Sequence, residues 1–335
     1  MMSDILQKHF GIQPEQSYMV RNQMRYISGG VLYTVVPVTH VEEDTLVELY
    51  EMSEHLSKEG DRYVSRFVAS TNEKFLVTED EVDYVVLGNA PHPVVPSTKL
   101  GRKLARFHDR GRSIEKVIKS CSRIGEWKSL WEKRLDQMEG VWNNYLTERP
   151  DREFSRLFIE SYPYYMGLAE NAIQYLVDTE MDEETRDSDA GTVCHVRFHE
   201  STWGTEICMK DPFDWVFDHA SRDISEWIRE RYFSQNRTFQ PDIRSFLQEY
   251  ESVSPLTAFS WRLIYARLLF PIHYFECIED YFTASSEQTQ KQLEDKLERM
   301  MKTSREYEAF LGNFYRIADV PLKKMSIPEI QWLKK

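Results

Sequence analysis

Residues 192–203 read TVCHVRFHESTW. Cys194, His195 and His199 offer sulfur and nitrogen to a metal, and a His-x3-His spacing puts two imidazoles on one face if the segment is helical. The flanks oppose that reading, because Thr192-Val193 and the run to Trp203 have the composition of strand and loop, and no second cysteine pair lies nearby. Without a metal, His195 and His199 are histidines in a packed loop, the commoner fate of such a pair. A third chemistry fits the order of residues better. Phosphoryl transfer needs a carboxylate that accepts the substrate proton, an amide five residues on that holds a metal ion, and a second carboxylate beyond a short hairpin.

In this sequence Arg197 and Thr202 take the first two positions, Asp211 the third, and Asp223-Ile224 follows twelve residues later behind Arg222. The run from His195 to Thr202 thereby resembles the His-Gly-Asp-Phe-His-Pro-Gly-Asn loop of the aminoglycoside phosphotransferase-like kinases. LGRKLARFHDRG resembles that family's helix after the hinge, and YVSRFVASTNEKFLVTEDEVDYVVLG its paired strands before it. YESVSPLTAFSWRLIYARLLFPIHYFECIEDYF and DPFDWVFDHASRDISEWIRE resemble the bacterial spore-coat kinase-like proteins of the CotS group, YutH type. The resemblance covers nearly the whole chain. It implies a bilobal α+β fold of the protein kinase-like (aminoglycoside phosphotransferase-like) type.

The departures from the family bear on the chemistry. A guanidinium is a donor only and stays protonated, so Arg197 cannot be a general base. It can bind a phosphate or pair with Asp211. Thr202 keeps an oxygen but loses the amide carbonyl, which leaves Asp211 as the main oxygen ligand for Mg²⁺. Asp214 and Asp218 are either assistants to it or loop carboxylates. Asp223 is expected to brace the loop through backbone N–H groups, with His195 and His199 in similar roles.

MVRNQMRYI, VLYTVVPV, YVSRFVAS, EKFLVT and DYVVLG have strand composition, and one helix, DTLVELYEMSEHLSKEG, interrupts them with Gly60 as its stop. The strand VLYTVVPV carries no Lys for the ATP phosphates; Val36 or Pro37 occupies that region, and Arg25 on the preceding strand is the candidate to supply the charge. Glu48 and Glu51 on the helix are either the partner Glu or part of a solvated face. Ser28-Gly29-Gly30 is a degenerate phosphate loop or a plain turn. This gives a β-rich lobe over 1–90, a proline connector, PHPVVP, within 91–98, and a helical lobe over 99–335. Helices are expected over 127–145 and 154–177, a solvated acidic loop over 178–191, a small hairpin at the quoted segment, and helices to the end. The last segment, VPLKKMSIPEIQWLKK, is expected to dock on the body or on a partner.

Bulk properties set the limits. With 335 residues, 41% hydrophobic and 29% charged, the chain can bury a large core. A net charge of -13 argues against a nucleic-acid binder. The four cysteines are scattered, so thiols rather than disulfides are expected. The first residues lack a signal-peptide pattern, and no run of about 18 apolar residues exists to span a membrane. Cytoplasmic synthesis is expected, with the spore coat and other coat proteins implied by the resemblance; oligomeric state is not legible. Loss of the Lys, base and Asn equivalents together predicts a catalytically degenerate pseudokinase acting as a scaffold in sporulation. The competing expectation is an atypical ATP-dependent phosphotransferase acting on a small molecule or coat protein, with Asp214 or His199 as base. ATP and Mg²⁺ are the cofactors the resemblance implies, poorly served by the residues that remain.

Overall fold

The computed structural model describes residues 2–20, 23–93, 99–147, 153–204, 207–234 and 239–334. The chain divides into two compact units. One comprises Met1–Arg123, Gly191–Asp223 and Ser252–Ser254, and the other Ile124–Ala190, Ile224–Glu251 and Pro255–Lys335. The fold is of the α+β kinase-like kind, with a small N-terminal sheet and a larger helical C-terminal region.

The first unit opens with α1 (Met2–Phe10). The sequence reading missed this helix. Its apolar residues Ile5, Leu6 and Phe10 have no long periodic run to announce them. They are fixed instead by the sheet, packing with Tyr26, Val35, Val77 and Val86. The sheet is antiparallel and joins β1 (Gln16–Val20), β2 (Gln23–Ser28), β3 (Val31–Pro37), β6 (Val82–Asn89) and β4 (Arg66–Val68) in that order, with β5 (Val77–Glu79) beside β6. Helix α2 (Glu43–Lys58) follows β3 and buries Leu49, Met52 and Leu56. Gly60 adopts φ 84°, the left-handed conformation that ends a helix. Gly29 and Gly30, with φ 57° and 75°, make the two-residue turn that closes β2 onto β3.

The short β7 (His92–Pro93) leads to α3 (Leu100–Arg112). Of the expected connector, residues 94–98, including Pro96, lie outside the described residues. The same unit holds β8 (Thr192–His195), β9 (Ile207–Cys208) and β10 (Trp215–Asp218). Here the expected hairpin is corrected: β8 pairs with β10, and β9 pairs with β7. The residues after His195 cannot form a return strand, because Phe198, Thr202 and Trp203 are buried in a loop closed on itself. Helix α3 lies directly on β8. A Cβ at Gly111 would stand 2.5 Å from Thr192 Oγ1 and 2.6 Å from Val193 N, so only glycine allows that approach.

The second unit is helical: α4 (Trp127–Thr147), α5 (Glu153–Asp182), α6 (Ser221–Phe233, entering from the first unit), α7 (Phe239–Glu251), α8 (Ala258–Leu269), α9 (Ile272–Thr283), α10 (Glu287–Lys302), α11 (Ser304–Ile317) and α12 (Leu322–Met325). Helix α8 is buried nearly all round and packs on α5. The apolar run over 263–275 breaks at Pro271, which ends α8 and starts α9. Among the described residues no helix is long and apolar enough to cross a membrane.

The acidic stretch is only partly a solvated loop. Helix α5 extends to Asp182, Arg262 pairs with Asp182 and Glu183, and Asp189 is buried, accepting the hydroxyls of Thr257 and Ser260 at 2.6 Å each. The C-terminal segment docks on its own unit: Tyr175 donates to the Pro328 carbonyl at 3.0 Å, and a Cβ at Gly312 would meet the Leu333 carbonyl oxygen at 2.3 Å.

Candidate functional site

Every residue of the site lies in the first unit. Asp223, in the first turn of α6, is fully buried. Its Oδ1 accepts the His195 backbone N–H at 2.9 Å, and its Oδ2 accepts from His195 Nδ1 at 2.7 Å and from His108 Nε2 at 3.1 Å. Burial alone would raise the Asp223 carboxyl; the two imidazoles overturn this and hold it well below the usual carboxylate range. Burial dominates at His108 and pushes its pKa down, against the pull of Asp223.

Trp203 Nε1 donates to His195 Nε2 at 3.0 Å. An indole N–H is a donor only, so Nε2 carries the lone pair and Nδ1 the proton given to Asp223. This tautomer removes His195 from the metal reading: Nδ1 has no lone pair to offer, and Nε2 is taken. Cys194 Sγ is turned to the carbonyls of Asp218 and His219, both at 3.5 Å. His108, Cys194 and Asp223 offer ligand atoms within 4.8 Å of one another, yet the hydrogen bonds from the imidazoles already occupy the carboxylate.

The loop after β8 is tied to its own backbone. Thr202 is buried; its hydroxyl accepts the His199 N–H at 2.7 Å and lies 3.4 Å from the Arg197 carbonyl. The Thr202 hydroxyl thus serves the loop. Phe198 is wholly buried between His195 and Trp203, its ring 5.1 and 5.3 Å from theirs. Arg222 fastens the loop from α6, giving Nε to the His195 carbonyl at 2.9 Å and Nη1 to Asp218 at 2.8 Å. Arg197 is half-buried in the same loop. The bracing hydrogen bond of His199 is made by its backbone.

Asp211 caps a short turn, its Oδ1 accepting the Phe213 N–H at 3.0 Å. Arg25 reaches its other oxygen, with Nη2 3.9 Å from Oδ2. Arg25 is buried on β2 directly across from Thr34 of β3, donates to the Thr34 hydroxyl, and gives Nη2 to Gln23 at 2.9 Å. The buried residues of β3 are Leu32, Thr34, Val35 and Val36, none of them cationic, and the charge that reaches Asp211 comes from Arg25 on the neighbouring strand. Asp214 is exposed, and its carbonyl accepts the Val196 N–H at 2.7 Å. Mg²⁺ demands several oxygens in near-octahedral array. One carboxylate beside a guanidinium and a hydroxyl folded into its loop do not make that set.

Two features escaped the sequence reading. Glu48 is neither a solvated residue nor the partner of a catalytic Lys. It accepts the backbone N–H groups of Lys119, Ser120 and Cys121 at 2.8, 3.0 and 2.7 Å. Burial raises its pKa, and those three bonds together bring it below the usual value. Glu51 pairs with Lys116. Secondly, Lys210, beside Asp211, is buried with its ammonium 2.6 Å from Asp61 Oδ2 and 4.1 and 4.6 Å from the ring centres of Trp203 and Phe107. Arg110 joins the same oxygen at 3.1 Å. Burial pulls the Lys210 pKa down while Asp61 supports it. The only signal in the sequence was a Lys next to a motif Asp.

Comparison with known proteins follows from this geometry. The sequence model of the family "Spore coat putative kinase YutH" matches residues 3–314. The chain belongs to this family. It is 39% identical over 336 residues to the endospore coat-associated protein YutH of Bacillus subtilis (strain 168), covering 100% of this chain and 99% of that protein. Among solved structures, an aminoglycoside phosphotransferase from Alicyclobacillus acidocaldarius superposes with a TM-score of 0.66 at 14% identity, covering 91% of this chain and 93% of the other. A microcompartment-associated aminopropanol kinase gives a TM-score of 0.59 at 12% identity over 95% and 98%. These structures establish the aminoglycoside phosphotransferase-like fold.

Proposed function

We propose that this chain is a spore-coat-associated pseudokinase, a kinase-like scaffold that serves protein interaction in sporulation and does not transfer phosphoryl groups. The observation that carries the reading is the loop over 196–203, where a guanidinium stands at the base position and Thr202 is committed to its own backbone. Loss of a general base alone typically costs about 10²–10⁴ in rate. Arg25 facing Asp211 supports the reading, since it puts a fixed positive charge beside the remaining metal-binding carboxylate. In this reading residues 1–90 are the β-rich lobe, 91–98 the connector, and 99–335 the helical lobe that carries the degenerate loop.

Coat association follows the family and the YutH relative. Other coat proteins are then the partners. A thermal-shift titration with ATP, with and without Mg²⁺, tests the site, because a ligand of the folded state raises its stability as concentration passes Kd. The expected result is no Mg²⁺-dependent shift in the wild type or in Asp211→Ala. A Mg²⁺-dependent shift that Asp211→Ala abolishes overturns the reading of the cation site.

A further inference from the structure

Helix α3 carries a concentration of positive charge that the site does not use. At about 100° per residue, Arg102, Lys103, Arg106 and Arg110 fall within one sector of about 100°, opposite the buried Leu104, Phe107, His108 and Gly111. Arg110 is held by Asp61. The side chains of Arg102, Lys103 and Arg106 make no hydrogen bond or ion pair with any described residue, and Lys103 and Arg106 are exposed. Like charges at i,i+3 and i,i+4 oppose the helix that carries them. The chain as a whole has a net charge of -13, so an uncompensated basic face is out of keeping with its surface.

The complementary surface is on the same chain. At the end of α5 and the turn after it, Asp182 is 61% exposed even while paired with Arg262. Glu184 and Asp187 are exposed, and their side chains make no hydrogen bond or ion pair with any described residue. We propose that the basic face of α3 receives this acidic segment, 182–187, from a second copy of the chain. Two different surfaces meet in such a contact, which either closes reciprocally in a two-fold pair or adds copies in succession. It stands independently of the catalytic reading, because no nucleotide enters it.

Sedimentation velocity over a concentration series, at low and at high salt, tests the contact. The wild type is expected to associate at low salt and to revert to monomer at high salt, where the Debye length shrinks to about 3 Å at 1 M. Combined Arg102→Glu, Lys103→Glu and Arg106→Glu, or combined Glu184→Lys and Asp187→Lys, is expected to weaken association at least about ten-fold, the scale of about 1.4 kcal/mol. Mixing the two charge-reversed proteins is expected to restore it. The milder Lys103→Gln with Arg106→Gln gives the same direction without charge reversal, should the reversed helix misfold. A wild type that stays monomeric at low salt, association that persists at high salt, or variants that associate like the wild type would each overturn the proposal. Binding of a different acidic polypeptide without self-association would do the same.

Discussion

Trp203 sets the proton positions around the loop. Its indole N–H fixes the His195 tautomer, and His195 in turn gives Asp223 two of its three hydrogen bonds, one from the ring and one from the backbone. Trp203→Phe keeps most of the ring contact and removes the donor. It is expected to cost about 1–3 kcal/mol in urea unfolding, the range for a buried polar atom left unsatisfied, and to shift the His195 ring nitrogens in an NMR spectrum. Lys210 is the second such residue. Lys210→Met removes a buried cation and leaves Asp61 with the half-buried Arg110 and the Tyr63 backbone N–H; a loss of about 3 kcal/mol in the same measurement is expected for breaking a buried pair. The order His195, Arg197, Thr202, Asp211 and Asp223 was legible in the sequence because it follows a spacing. The Lys210–Asp61 pair was not, because its partners lie 149 positions apart and neither belongs to a local pattern. The Arg25–Asp211 approach rested on the candidate role of Arg25, but its geometry needs the β2–β3 register that puts Arg25 across from Thr34.

Elements carry these residues only as well as they pack. Gly111 lets α3 lie on β8, and α3 brings His108 to Asp223, Phe107 to Lys210 and Arg110 to Asp61. Gly111→Ala would push the helix from the strand and is expected to destabilise by about 1–3 kcal/mol despite the better helix propensity of Ala, read as a lower Tm. Most helices were legible from apolar periodicity: 127–145 became Trp127–Thr147, and 154–177 became Glu153–Asp182. Two failures have a common cause. Helix α1 is too short for periodicity to mark, and the return strand for β8 is β10, beyond a loop that sequence proximity made look like half of a hairpin. Tertiary contacts decide both. The extension of α5 into the acidic stretch has the same origin, since Arg262 offsets the charge there.

At the scale of the molecule, each unit buries a histidine whose pKa is lowered. Burial depresses His108, with Asp223 opposing, and depresses His273 further, with Arg229 adding to the effect. Burial holds both below the ordinary histidine value when folded, while the unfolded chain protonates them near pH 6.5. The unfolded state then binds more protons, so their contribution is full above about pH 7 and is lost as pH falls. The slope is at most about 1.4 kcal/mol per pH unit for each histidine. Urea midpoints measured from pH 7.5 to 5 are expected to fall, with His273→Phe flattening part of the slope. Asp223, held low, keeps its contribution until strongly acid pH. The fold is aminoglycoside phosphotransferase-like, and the proposed reading is that the loop after β8 lacks the groups that phosphoryl transfer uses. The measurement that reaches this claim most directly is release of phosphate from ATP by the purified protein at millimolar Mg²⁺ and ATP, with Asp211→Ala beside it. The account predicts no turnover in the wild type above that of the variant. Mg²⁺-dependent turnover that Asp211→Ala abolishes would contradict it.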